Sequence, residues 1–350
     1  MKKILYVASA IAFMACSSSK EASNEDANVD QAAKYAATIT AKDLGTHLFT
    51  YASDEFEGRE TGEPGQKKAV EYLKNFYVNK GIVSPIGGDD YFQEVPAAWI
   101  NKNTRRGKFK DSENVLAFIK GTEKPDEIVV ISAHLDHEGV KDGVVYNGAD
   151  DDGSGTVAVL EIAEAFKMAA DAGKGPKRSI LFLHVTGEEK GLLGSKYYTE
   201  NPIFPIANTV CDLNIDMIGR IDERHKEDPN YLYLIGSDKL STELHNLSEE
   251  INKKYTNINF DYKYNDENDP NRFYYRSDHY NFAKHNVPII FYFNGTHADY
   301  HKPSDTPDKI NYELLENRTR LVFHTAWEVA NKETRIIADK AEVKKEEKTK

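Results

Sequence analysis

Four short runs in this chain are mostly apolar: Ile128–Ile131, Ser179–Val185, Val210–Ile215 and Pro288–Phe293, the second broken by His184 and the third by Asp212 and Asn214. A half-exposed strand alternates polar and apolar residues, whereas an unbroken apolar run is covered on both faces. Between and around these runs lie segments with helical spacing, among them Thr156–Ala170 and Tyr312–Ala330. Upstream, Thr40 and Asp43 open a helix that carries Leu44, Leu48 and Tyr51 on one face. A second helix sets Ala69, Val70, Leu73, Phe76 and Tyr77 in line and stops at Gly81. Asn114–Ile119 reads as a further strand. Strands alternating with helices predict an α/β fold, with a mainly parallel central sheet and helices on both faces. No shift of composition divides residues 36–332, which read as one domain. Within it, residues 222–271, rich in Asp, Glu, Asn and Tyr, read as an elaborated insertion, and residues 333–350 as a disordered charged tail.

Open α/β sheets build their sites beyond the carboxyl ends of the strands, and here those ends carry ligand-type residues. The first run leads into His134-Leu135-Asp136, the second into Gly187-Glu188-Glu189, the third into Asp216, and the fourth into a loop with His297 and His301. Between the first two lies Asn147-Gly148-Ala149-Asp150-Asp151-Asp152-Gly153-Ser154-Gly155, a loop that opens a helix. Imidazole and carboxylate without thiolate suit zinc, and cobalt or manganese would take the same ligands. Two ions side by side need a bridging carboxylate, which the aspartate triplet supplies; the residues alone leave Asp150, Asp151 and Asp152 equivalent. Of the adjacent glutamates, one is free to bind metal while the other handles protons. His137, His184 and His279 read as structural histidines.

These pieces, together with Arg276-Ser-Asp278-His279, Tyr300-His301-Lys-Pro-Ser-Asp-Thr and the earlier Glu57-Gly-Arg59, occur in the order of the M28 di-zinc peptidases. The chain resembles their bacterial aminopeptidase branch. The resemblance implies a zinc-exopeptidase (phosphorylase/hydrolase-like) fold and two Zn2+ per chain. His134 and Asp216 would hold one ion, Glu189 and His301 the other, and Asp151 would bridge them. Glu188 would be the general base, Asp136 would orient His134, and Asp278 would stand behind the ligands. Tyr274, with Tyr275 as its neighbour, would stabilise the oxyanion. The substrates would be peptides with a free N-terminus. Glutaminyl cyclases and carboxypeptidases share the fold, and a non-catalytic binding lipoprotein is the alternative from another class.

The N-terminus adds a location. Lys2 and Lys3 precede a short apolar stretch, Ile4–Phe13, and then Ala15-Cys16. The stretch is too short to span a bilayer and reads as a signal peptide over residues 1–15. The small residue before Cys16 resembles a bacterial lipobox, which implies lipidation of Cys16, a flexible tether over residues 16–35, and a lipid-anchored place in the bacterial cell envelope. That anchor would be the sole membrane contact. A formal net charge of −12 over 350 residues argues against a nucleic-acid partner. Oligomeric state is not encoded in any of these features.

Overall fold

The computed structural model describes residues 30–341, so the signal peptide and Cys16 lie outside the described residues. The strands are β1 (Phe92–Val95), β2 (Ser112–Ile119), β3 (Lys124–His134), β4 (Gly139–Lys141), β5 (Val144–Tyr146), β6 (Arg178–Val185), β7 (Thr209–Ile215), β8 (Tyr231–Ile235), β9 (Asn259–Asp261) and β10 (Ile289–Phe293). The α-helices are α1 (Gln31–Ala36), α2 (Ala41–Tyr51), α3 (Pro64–Lys80), α4 (Ala97–Asn103), α5 (Gly155–Asp171) and α6 (Leu193–Glu200). They continue with α7 (Ser237–Leu240), α8 (Thr242–Tyr255), α9 (His279–Ala283) and α10 (Tyr312–Asn331).

Eight strands form one sheet in the order β1-β2-β6-β3-β7-β10-β8-β9, while β4 and β5 make a separate hairpin. The four apolar runs are β3, β6, β7 and β10, and they pair parallel to one another at the centre. The flanks differ from a purely parallel sheet. β1 and β2 run antiparallel on one side, and β8 is antiparallel to β10 on the other. Both edges are short: β1 has four residues and β9 three.

Side chains alternate between two cores, as the strand period requires. Val129, Ile131, Ile180 and Phe182 face α2, α3, α5 and α10. Ile128, Val130, Leu181 and Leu183 face the opposite side, where Tyr198 of α6 and Phe282 of α9 cover them. Local signals act where expected. The Thr40 side chain accepts from the Asp43 N–H at 3.1 Å, and Gly81 ends α3 at φ +66°.

Three boundaries differ from the sequence expectation. Residues 31–35, assigned to the tether, are helical in α1, where Ala32, Tyr35 and Ala36 are buried; Tyr35 stacks on Trp327 at 5.9 Å. Residues 222–271 supply β8 and β9 to the main sheet, so they build the fold rather than decorate it. The tail's first residues also pack: Ile336 is buried, and Arg335 donates to the Ala207 and Thr209 carbonyls at 2.7 and 2.8 Å.

Phe166 of α5 is fully buried, with ring centroids 4.7 Å from Phe323 and 5.6 Å from Trp327. Phe166→Ala is expected to lower the unfolding free energy by about 3–5 kcal/mol in urea titrations. Met168→Ala, at a half-exposed position one turn boundary away, should stay within about 0.5 kcal/mol.

Candidate metal centre

The loops beyond β3, β6, β7 and β10 are buried and irregular, so their main-chain groups need partners. Two arginines, each 1% exposed, supply donors from within the protein. Arg59 donates to the carbonyls of Leu135, Tyr51, Asn147 and Gly148 at 3.1, 3.2, 2.7 and 2.9 Å. Arg318 of α10 does the same for Ile218, Arg220 and Tyr231 at 2.8, 2.7 and 2.9 Å. The first clamps the chain after β3 to the aspartate loop, and the second holds the chain that follows Asp216.

Within the aspartate triplet the division of labour is geometric. Asp150 accepts from the Gly219 N–H at 2.7 Å and faces His297 Nε2 at 3.1 Å. Asp152 accepts from the N–H groups of His134, Gly155 and Met217 at 3.1, 2.9 and 3.1 Å, tying together β3, α5 and the end of β7. Asp151 is left to reach inward. Its Oδ1 lies 3.1 Å from His134 Nε2 and its Oδ2 2.9 Å from His301 Nε2, so one carboxylate spans two groups of imidazoles.

Around it, Asp216 Oδ1 is 3.7 Å from His134 Nε2, while Asp216 Oδ2 accepts from Ser277 at 2.6 Å. Glu189 Oε2 is 3.2 Å from His301 Nε2. His134 Nδ1 lies 3.0 Å from the Asp136 carbonyl oxygen, an acceptor, so Nδ1 carries a proton and Nε2 is the nitrogen turned to the cluster. The orienting group is therefore the Asp136 main chain. The Asp136 carboxylate sits 3.9 Å from that nitrogen and accepts instead from Thr61 Oγ1 at 2.7 Å and from the Glu188 N–H at 3.1 Å. Asp278 stands behind, accepting from Ser195 at 2.5 Å, its carboxyl pushed up to about 7 by burial.

Two residues depart from the sequence reading. Tyr274 is not at the cluster. Its ring packs on Tyr275, Tyr280 and His279 at 5.2, 5.9 and 5.6 Å, over Gly236. Tyr300 instead lines the cavity beside the cluster, stacked on His301 at 3.9 Å and accepting through its hydroxyl from Arg276 at 3.2 Å. His137, set aside as structural, is fully buried with Nδ1 2.9 Å from Glu189 Oε1.

The donor set fits a divalent cation. His134 Nε2, His137 Nδ1, Asp151 Oδ2 and Glu189 Oε1 are all buried without a hydrogen-bond partner. Three groups of close ligand atoms appear here: His134, Asp152 and Asp216; His137, Asp151 and Glu189; and Glu138, Glu189 and His301. All are nitrogen or oxygen donors, the combination zinc accepts. Beside them a small cavity of about 20 Å³ is lined by Asp151, Glu188, Asp216, Met217, Phe273, Arg276, Phe291, Phe293 and Tyr300. A larger groove between α8 and α10, about 650 Å³, lies away from these residues and has no His or Cys in its lining.

Without an ion, protons balance the cluster's charge. Burial works against a charged His301, yet Asp151 and Glu189 outweigh it and push the imidazole up to about 10. His134 is raised by Asp151 and Asp216 against the same opposition. Both imidazoles are thus cationic at pH 7 in the metal-free protein and must lose a proton to bind metal. Loading zinc is expected to release about two protons, seen by calorimetry in buffers of different ionisation enthalpy. Affinity should weaken at least about tenfold per pH unit as the pH falls below 7. Metal binding with no proton release would contradict this arrangement.

The family model described as Peptidase family M28 matches residues 114–326. The leupeptin-inactivating enzyme 1 of Streptomyces exfoliatus is 28% identical over 265 residues, covering 75% of this chain and 50% of that protein. A probable glutamate carboxypeptidase of Zea mays, VP8, is 34% identical over 110 residues, 31% of this chain and 14% of that one. The chain thus spans half or less of the length of these curated relatives. Among solved structures, BSAP, a zinc aminopeptidase from Bacillus subtilis, superposes with a TM-score of 0.64 at 17% identity, covering 87% of this chain and 99% of that one. That likeness is one of fold.

Proposed function

The chain belongs to peptidase family M28, and from that premise we propose a zinc-dependent exopeptidase that removes residues from the free N-termini of peptides. The observation that carries the reading is the opposed use of two neighbouring glutamates. Glu189 turns into the imidazole cluster, while Glu188 lines the cavity beside Asp151 and Asp216. His134 and Asp216 would hold one zinc, Glu189 and His301 a second, and Asp151 both. When bound, such ions acidify a water and polarise the scissile carbonyl.

The chain's own residues do the rest. Glu188 takes the proton of the attacking water and returns it to the leaving amine. Burial raises its pKa well above the usual carboxylate range, which makes it a better base once ionised. The Asp136 carboxylate fixes the Glu188 main chain and so aims the base. Tyr300, polarised by the Arg276 guanidinium on its oxygen, takes the role of oxyanion donor foreseen for Tyr274. Met217, Phe273, Phe291 and Phe293 form an apolar wall suited to an apolar N-terminal side chain.

One observation favours a second reading. Arg276 lines the same cavity and forms no ion pair among the described residues, so it is available to a substrate's terminal carboxylate, as a carboxypeptidase requires. A mass-spectrometric digest of matched peptides separates the two. Free N-termini should yield a ladder of stepwise losses, acetylated peptides should stay intact, and loss from the carboxyl end would install the second reading. Ammonia loss from N-terminal glutamine would install a cyclase. Glu188→Gln should lower turnover by at least about 10³-fold with both metals kept. Glu189→Ala should lose metal; equal metal loss in the two variants would refute their division.

The lipid anchor at Cys16 rests on the sequence alone, and we carry it forward as a proposal. Cys16→Ser is expected to move the protein from the membrane fraction to the soluble fraction of the envelope. Continued sedimentation with membranes would refute the anchor.

A further inference from the structure

We propose that His137 binds metal through Nδ1, giving the ion at the Glu189–His301 position four protein ligands, against three for its neighbour. The inference rests on the two-metal reading above.

Four observations point the same way. His137 is fully buried, and neither ring nitrogen has a hydrogen-bond partner. A histidine kept only for packing places at least one nitrogen on a donor or acceptor, because a buried unsatisfied imidazole nitrogen is costly. Its Nδ1 lies 2.9 Å from Glu189 Oε1 and 3.9 Å from Asp151 Oδ2, within the group of ligand atoms it shares with those two residues. The contact with Glu189 is close yet does not align as a hydrogen bond, and Glu189 Oε1 is itself without a partner. Atoms that approach without aligning on each other share a common target. His134 Nε2 shows the same signature at 3.1 Å from Asp151 Oδ1.

The surrounding backbone is built to admit the ring. Gly148 has φ +54°, and a Cβ there would stand 2.4 Å from His137 Cγ and 2.3 Å from the Asp151 carbonyl oxygen. The aspartate loop can therefore fold over His137 only with glycine at this position. The His137 N–H also donates to the Arg59 carbonyl at 3.3 Å, which fixes the main chain beneath the ring. Glu138 is the other candidate beside Glu189 and His301, but it pairs with Lys141 and lies 4.0 Å from Lys190. Its charge is met by lysines. His137 has only the cluster to face.

Unequal ligand counts make the two ions unequal. The ion with His137, Asp151, Glu189 and His301 should be the one retained when a chelator strips the protein.

The test uses the full chain loaded with Co2+. Each histidine bound through one ring nitrogen carries an exchangeable proton on the other, and a paramagnetic ion shifts that proton far outside the normal NMR range. His134, His137 and His301 as ligands give three such signals. Two signals would overturn the assignment. In parallel, chelator competition with Zn2+ should show that His137→Ala weakens one ion at least about 100-fold, beyond the range usual for groups that only position a ligand, and leaves the other within a few-fold. His137→Asn keeps a side-chain donor able to hold Glu189; wild-type metal affinity in that variant would reduce His137 to a positioning residue and overturn the proposal. Wild-type protein that binds fewer than two ions would instead fail the two-metal reading on which the assignment stands.

Discussion

Arg59 brings a positive charge into the interior with no carboxylate to meet it, and directs its donors at main-chain carbonyls. The site depends on that choice. Parallel strands deliver several chain segments to one end of a sheet, and the segments there cannot be helical or extended if their side chains are to converge. Irregular buried backbone leaves acceptors unpaired, each costing about 1–3 kcal/mol. A guanidinium, with donors spread in a plane, satisfies several at once. Tyr51 assists, donating to the Leu135 carbonyl at 2.9 Å while its ring lies 4.6 Å from the guanidinium carbon. Arg318 repeats the device on the far side of the cluster, where burial lowers its own pKa to about 10.

With the backbone settled this way, the carboxylates divide by what remains free. Asp150 and Asp152 flank Asp151 in sequence and are equally buried, yet each is used up on N–H groups and on His297. Asp151 is the one whose oxygens meet only imidazole side chains, and His134 and His301 hold it well below the usual carboxylate range against its burial. Asp136 works differently. It touches a ligand through its carbonyl and the base through its carboxylate, so a single residue spaces His134 from Glu188. Metal binding and proton transfer are thereby set by one short segment rather than by two independent loops.

Much of this was legible in the sequence, and the reason is specific. The central residues of β3, β6 and β10 form nearly continuous apolar runs, which leaves a clear signal even though β7 buries Asp212 and Asn214 against Ser132, and the ends of these strands carry ligand-type residues. Gly81 and Thr40 announced helix ends through backbone chemistry that needs no tertiary context. Other features were silent. His137 carries no mark that separates a ligand from a packed histidine; its partner Glu189 is more than fifty residues away, and the glycine that admits it lies in another motif. Tyr274 was placed by the family resemblance alone, but a short helical turn over residues 273–275 points adjacent side chains in different directions, and Phe273 and Arg276 face the cavity instead. Strand β9 hid in a polar stretch because it is three residues long at the sheet's edge with none of them buried, whereas β8, the fully buried run Tyr231–Ile235, was masked by the polar residues on either side of it.

Those edges have a further meaning. The sheet ends in β1 and β9, four and three residues long, and both are reached through antiparallel or late additions to a parallel core. An incoming chain would find too little unpaired backbone at either side to add a strand in register. The parallel centre, which forms slowly because its partners are distant in sequence, is thus bordered by segments that stop its growth. A protein built this way is guarded against templating its own copies, and the guard lies in the length of its outermost strands.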